Sequence, residues 1–174
     1  MILDSVTVGF STTSKWLSRL IRLFTKSRVS HAWIGYYDET LDKRMVMQVE
    51  AWGYEVRPWS RWMKQNRRVA EFIVPTQERA RQALRGISAF LGVKYDFTAA
   101  FLAGVKRWWG RFLKRPYHNP GKLMCSEAVV RFLQLGGYPV AADLDPETTS
   151  PGELLIRVEQ DPTFTSLPPS AARN

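Results

Sequence analysis

Apolar and polar residues alternate loosely at the start of the chain, where Ile2, Val6, Val8 and Phe10 predict a first strand over residues 1–10. The period then changes. In STTSKWLSRLIRLFTKSR, Trp16, Leu17, Leu20, Ile21, Leu23 and Phe24 fall on one helical face and Lys15, Arg19, Arg22 and Lys26 on the other, with Ser11 to Ser14 as candidate caps. Period two returns in SHAWIGYY, residues 30–37. There His31, Trp33, Gly35 and Tyr37 share one face of a strand, and Ala32, Ile34 and Tyr36 the other. A polar turn over 38–44 leads back through MVMQVEAW, where Met47, Val49 and Ala51 face one way and Gln48 and Glu50 the other. With the apolar set packed into a core, Glu50 faces a cleft. Gly53 permits a bend, YEVRPW stays extended, WSRWMKQN reads as a short helix, and RVAEFIVP as a strand closed by Pro75.

The later half is mostly helical. TQERARQALRGISAFLG takes Thr76 as its cap, Glu78 and Arg81 as support for its first turns, Ala80, Leu84, Ile87 and Leu91 as its buried stripe, and Gly92 as its stop. A further helix is predicted from Asp96 to near Leu113. Its later half mixes Lys106, Arg107 and Arg111 with Trp108, Trp109 and Phe112, and Pro116 ends it. After the loop YHNPGK comes LMCSEAVVRFLQLGG, a helix with Cys125 in its first turn and a Gly136–Gly137 stop. One short helical piece lies near SPGELLIRV. No repeat or linker divides the chain. The expectation is a single domain over 1–160 with a loose tail over 161–174, of α+β class: a small antiparallel sheet or half-barrel packed against helices.

Composition narrows the reading. The chain has 174 residues, 45% of them hydrophobic, enough for a real core. Lys and Arg number 25 against 16 Asp and Glu, a net charge of +9 that favours anionic partners: nucleic acid, anionic lipid or an anionic cell-wall polymer. A single cysteine makes no internal disulfide. The start carries no secretory signal and no apolar run reaches the ~20 residues that span a bilayer, so a cytoplasmic protein is expected. Two histidines and one cysteine are too few soft ligands for a metal site, and no cofactor is expected.

Cys125, His31 and Glu50 are a thiol, an imidazole and a carboxylate on three separate elements. These are the parts of a cysteine nucleophile with its base and an orienting group. The first turn of a helix offers unpaired N–H groups and the positive end of the dipole, which stabilise a thiolate and can hold an oxyanion. The bland alternative is that Cys125, on one face with Val129 and Phe132, is a small core residue. His118, seven positions before Cys125 in a loop, is the other candidate base; a strand holds geometry better, which favours His31. Gln48, on the same face as Glu50, is a substitute orienter and a candidate substrate contact, and Trp33 is a candidate wall of the cleft.

The order SHAWIG, QVEAWGYEV, GVKYDF, MCSEAV resembles the circularly permuted branch of the NlpC-type, papain-like cysteine peptidases and amidases, which includes lecithin-retinol-acyltransferase-like proteins. The resemblance runs from about Val6 to Leu155. It implies Cys125 as nucleophile, His31 as base and Glu50 as orienting residue, with Tyr95 and Asp96 as a structural pair. The family's opening Gly-Asp pair is Gly9-Phe10 here.

Three functions follow as expectations. The first is a cysteine hydrolase acting on an amide through an acyl-enzyme, with a peptide of cell-wall peptidoglycan as a substrate that suits the basic surface; a phage-encoded or virion-associated protein fits the family's spread. The second is a lipid-directed acyltransferase or thioesterase at an anionic membrane surface, from the basic tryptophan-bearing stretches 14–28 and 101–115. The third is a non-catalytic binding module of the same fold. RWWGRFLKR could stack bases and pair phosphates, but no helix-turn-helix or zinc spacing accompanies it, which disfavours nucleic acid.

Overall fold

Strand alternation and tight turns build one sheet. The computed structural model describes residues 5–13, 27–50, 52–92, 94–95, 122–123 and 125–168. In chain order the elements are β1 (Thr7–Thr12), β2 (His31–Asp38), β3 (Lys43–Glu50), β4 (Gly53–Pro58), α1 (Trp59–Trp62), β5 (Arg67–Ile73), α2 (Gln77–Ser88), β6 (Lys94–Tyr95), β7 (Lys122–Leu123), α3 (Cys125–Leu135), a 3-10 turn (Pro139–Ala141), α4 (Pro151–Gln160) and β8 (Thr165–Ser166). Six strands form an antiparallel sheet in the order β4-β3-β2-β1-β5-β8. The short parallel pair β6–β7 packs against β4. The class is α+β, as the sequence predicts.

The two faces of the sheet differ. Val8, Phe10, Ala32, Ile34, Met47, Val49 and Phe72 point to one side, where Ala80, Ala83 and Ile87 of α2, Val129, Phe132 and Leu133 of α3, and Leu154, Leu155 and Val158 of α4 close the core. Each fully buried large side chain here contributes roughly 1.5–3 kcal/mol of transfer free energy. On the other side Trp33 and Val46 pack with Trp62 of α1. This face has a polar interior. Glu71 is fully buried and accepts from Thr7 Oγ1 at 2.7 Å and from Arg68 Nη1 at 2.6 Å, with Arg44 as its third partner. The Arg44 guanidinium in turn lies 4.0 Å from the ring centroid of Trp59.

Gly9 permits this packing. A methyl group on it would sit 2.0 Å from the Trp33 ring, so the indole lies directly across the backbone of β1.

Several local expectations change. Ser11 and Thr12 belong to β1 and not to a helix cap. Residues 14–26 of that predicted helix, and the one from Asp96 to Leu113 with His118 beyond it, lie outside the described residues. Thr76 does not cap α2: its backbone is left-handed and its side chain makes no capping bond. Gln77 anchors the helix start by donating to the Val74 and Val6 carbonyls at 2.6 and 3.2 Å and accepting from Val6 N–H at 2.6 Å. The helix ends at Ser88, which leaves Leu91 in an exposed turn while Ala83 is buried. The tail is bound well past residue 161: Phe164 is buried, β8 pairs with Phe72 and Ile73, and Leu167 N–H donates to the Glu71 carbonyl at 2.8 Å. Among the described residues, no helix is long and apolar enough to cross a membrane.

Candidate active site

β2 is an interior strand, and its first residue is His31. The β2–β3 ladder stops at the pair Trp33–Gln48. Beyond that point β2 stays with β1 as far as Ser11–His31, while β3 turns to β4 as far as Glu50–Gly53. The strands part there, and α3, which packs on both, brings Cys125 to the parting. Cys125 is the first residue of α3, and the apolar face of Val129, Phe132 and Leu133 fixes the helix on the core.

The Cys125 thiol and the His31 imidazole lie side by side and act on each other's protonation. Burial by itself raises a thiol. Here the His31 hydrogen bond and charge, with the N–H groups of Ala32 and Ser126, outweigh burial and hold Cys125 below its ordinary value. Burial by itself lowers an imidazole. The hydrogen bond and charge of Cys125, the charge of Glu50 and the hydrogen bond of Gln48 reverse that and push His31 up to about 9. Both directions favour a thiolate–imidazolium pair.

The far side of the ring fixes its tautomer. His31 Nε2 lies 2.9 Å from Gln48 Oε1. Trp62 Nε1 donates to the same oxygen at 2.7 Å, and an indole N–H can only donate. Gln48 Nε2 donates to Glu55 Oε1 at 3.2 Å, and a carboxylate can only accept. The amide is therefore set from both ends, with its oxygen toward His31. Nε2 must carry the hydrogen, which leaves Nδ1 for the thiol. Glu55 also receives Arg57 Nε at 2.5 Å.

The structure thus brings Cys125 and His31 together and gives the orienting hydrogen bond to Gln48. Glu50, expected in that place, acts on the ring through its charge. It follows β3 away to pair with Gly53 beyond the point where the strands part. The two proposed substrate contacts need correcting. Gln48 is 1% exposed and committed to His31, Trp62 and Glu55, so no substrate reaches it. Trp33 is fully buried beneath Trp59 and Trp62, with ring centroids 5.3 and 4.8 Å away, and supports the site from below. The exposed aromatic on the neighbouring hairpin is Trp52, 83% exposed.

Sequence reasoning missed Glu55 and Trp62. Glu55 was findable: a hairpin that pairs Glu50 with Gly53 sets Gln48 opposite Glu55. Nothing in WSRW distinguishes Trp62 from Trp59 as the indole that reaches Gln48. No protein-family model matches the chain, and a search among curated proteins finds no match.

Proposed function

We propose that the chain is a cysteine hydrolase of the amidase or peptidase type with a permuted papain-like arrangement. The observation that carries this reading is the juxtaposition of Cys125 and His31, with the His31 ring held by its 2.9 Å hydrogen bond to Gln48, on three elements and with the tautomer fixed. The Cys125 thiolate attacks an amide carbonyl carbon, and the first-turn N–H groups of α3 face the developing oxyanion. The imidazolium of His31 gives its Nδ1 proton to the leaving amine nitrogen as the C–N bond breaks, leaving a thioester. Neutral His31 then takes a proton from water, the hydroxide attacks the thioester carbon, and the C–S bond breaks to release a carboxylic acid and restore the thiolate. The excess of basic residues suits an anionic substrate such as cell-wall peptide.

Alkylation tests the reading. Iodoacetamide is expected to label native Cys125 rapidly near neutral pH, and His31→Ala to slow labelling at least about tenfold. Labelling that appears only after denaturation would falsify it.

A further inference from the structure

We infer that Glu55 is a positioning residue of the Cys125–His31 pair, acting through the Gln48 amide that stands between them. The inference rests on the reading of His31 as the base. A neutral glutamine is a weaker partner for an imidazolium than a carboxylate, because it supplies a dipole and no charge. Gln48 does not act alone. Its amide nitrogen donates to Glu55 at 3.2 Å while its oxygen accepts from His31 at 2.9 Å. A carboxylate on the N–H side of an amide draws the group's dipole toward itself and makes the carbonyl oxygen a better acceptor, by on the order of 10–30% per bond. The amide so transmits part of a negative charge to the ring.

Three features of the site fit this role. Gln48 is buried, so water does not screen the transmission. Trp62 holds the amide oxygen in place at 2.7 Å, so the dipole cannot swing away. Glu55 itself is at the surface end, with 26% of its side chain exposed, and it shares Oε1 with Arg57. It stays partly in water there, and so avoids the full desolvation that a carboxylate placed directly on the buried His31 would meet. The charged groups that bear on His31 are then Cys125 from α3, Glu50 from β3 and, through Gln48, Glu55 from β4, tempered by Arg57.

Two conservative variants separate this from a charge acting through space. Glu55→Gln keeps the shape and removes the charge. Glu55→Asp keeps the charge and withdraws it from the amide by one methylene. The readout is the titration midpoint of the His31 ring by NMR in the full chain, its resonances assigned by their loss in His31→Ala. Both variants are expected to lower the midpoint, each by about half a pH unit, and to move the alkaline limb of Cys125 alkylation the same way. A shift in Glu55→Gln with Glu55→Asp at the wild-type value would overturn the inference in favour of simple through-space charge. No shift in either would overturn it outright. The hydrolase reading is judged separately on the wild-type protein: a chain whose His31 responds as expected but whose Cys125 resists alkylation keeps the positioning role and loses the enzyme.

Discussion

The amide oxygen of Gln48 accepts two hydrogen bonds at once, from His31 Nε2 at 2.9 Å and from Trp62 Nε1 at 2.7 Å. Trp62 thereby turns a flexible side chain into a fixed one. Trp62→Phe keeps the ring stack and deletes that donor, so it is expected to slow Cys125 alkylation by a few fold with little loss of stability. Gln48→Ala removes the acceptor and leaves a buried indole N–H unpaired. It should cost about 1–3 kcal/mol and slow alkylation more than Trp62→Phe does. Alkylation rates at fixed pH with parallel urea melts check both; equal effects of the two variants on alkylation would contradict the clamp.

The pair sets a pH window. Cys125 is held below its ordinary value and His31 is pushed up to about 9, so thiolate and imidazolium coexist between the two. Thiolate absorbance in the ultraviolet is expected to appear below the usual thiol midpoint of about 8.5, and His31→Ala should return it upward. A step that needs the His31 proton should fade as pH rises through about 9. Stability follows the same signs. His31 binds its proton more tightly folded than unfolded, so its contribution is complete below about 6.5 and lost as pH rises to about 9. Cys125 contributes in the opposite sense, losing its share as pH falls through its lowered value.

Packing on the polar face admits no extra atom at Gly9, where a methyl group would meet the Trp33 ring at 2.0 Å. Gly9→Ala is expected to destabilise by about 1–3 kcal/mol and to lower the thermal midpoint by roughly 5 °C. Because Trp33 underlies Trp62, the variant should also slow alkylation of Cys125. Full stability in Gly9→Ala would show that the indole can move aside.

Glu71 answers Arg44, Arg68 and Thr7 with no exposure of its own. Glu71→Ala strands two guanidinium groups against the sheet and should cost roughly 3–5 kcal/mol. Chemical denaturation measures this directly. The Cys125–His31 pair lies beyond Gly9 and Trp33 from this cluster, so the loss should appear in stability before it appears in the pH profile of Cys125.

Alternation made the sheet legible. The opposed faces of β2 and β3 placed Met47 and Val49 in the core and Gln48 on the other side, as found. Cys125 at a helix start and His31 at a strand start were readable for the same reason, since each depends on local periodicity. The choice between Glu50 and Gln48 was not. It depends on where the β2–β3 ladder ends, and pairing with β1 and β4 decides that. Trp33 was misread because one strand cannot reveal that α1 folds over its outer face. Thr76 was misread because a threonine is a good cap only where the backbone is extended, and here it is left-handed. The bound tail could not be foreseen from its composition, because two residues of pairing and one buried phenylalanine leave almost no periodic trace.

The separation of the site along the chain has a consequence for timing. His31, Gln48, Glu55 and Trp62 lie within one run of two hairpins and a helical turn, so the contacts that tie them close short loops. Cys125 arrives only when α3 docks, across a span of sequence several times longer. A nascent or partly unfolded chain therefore carries an ordinary thiol beside no base. The sulfur meets His31 only once α3 has packed on β2 and β3, so its altered acidity depends on the tertiary fold and not on any local segment.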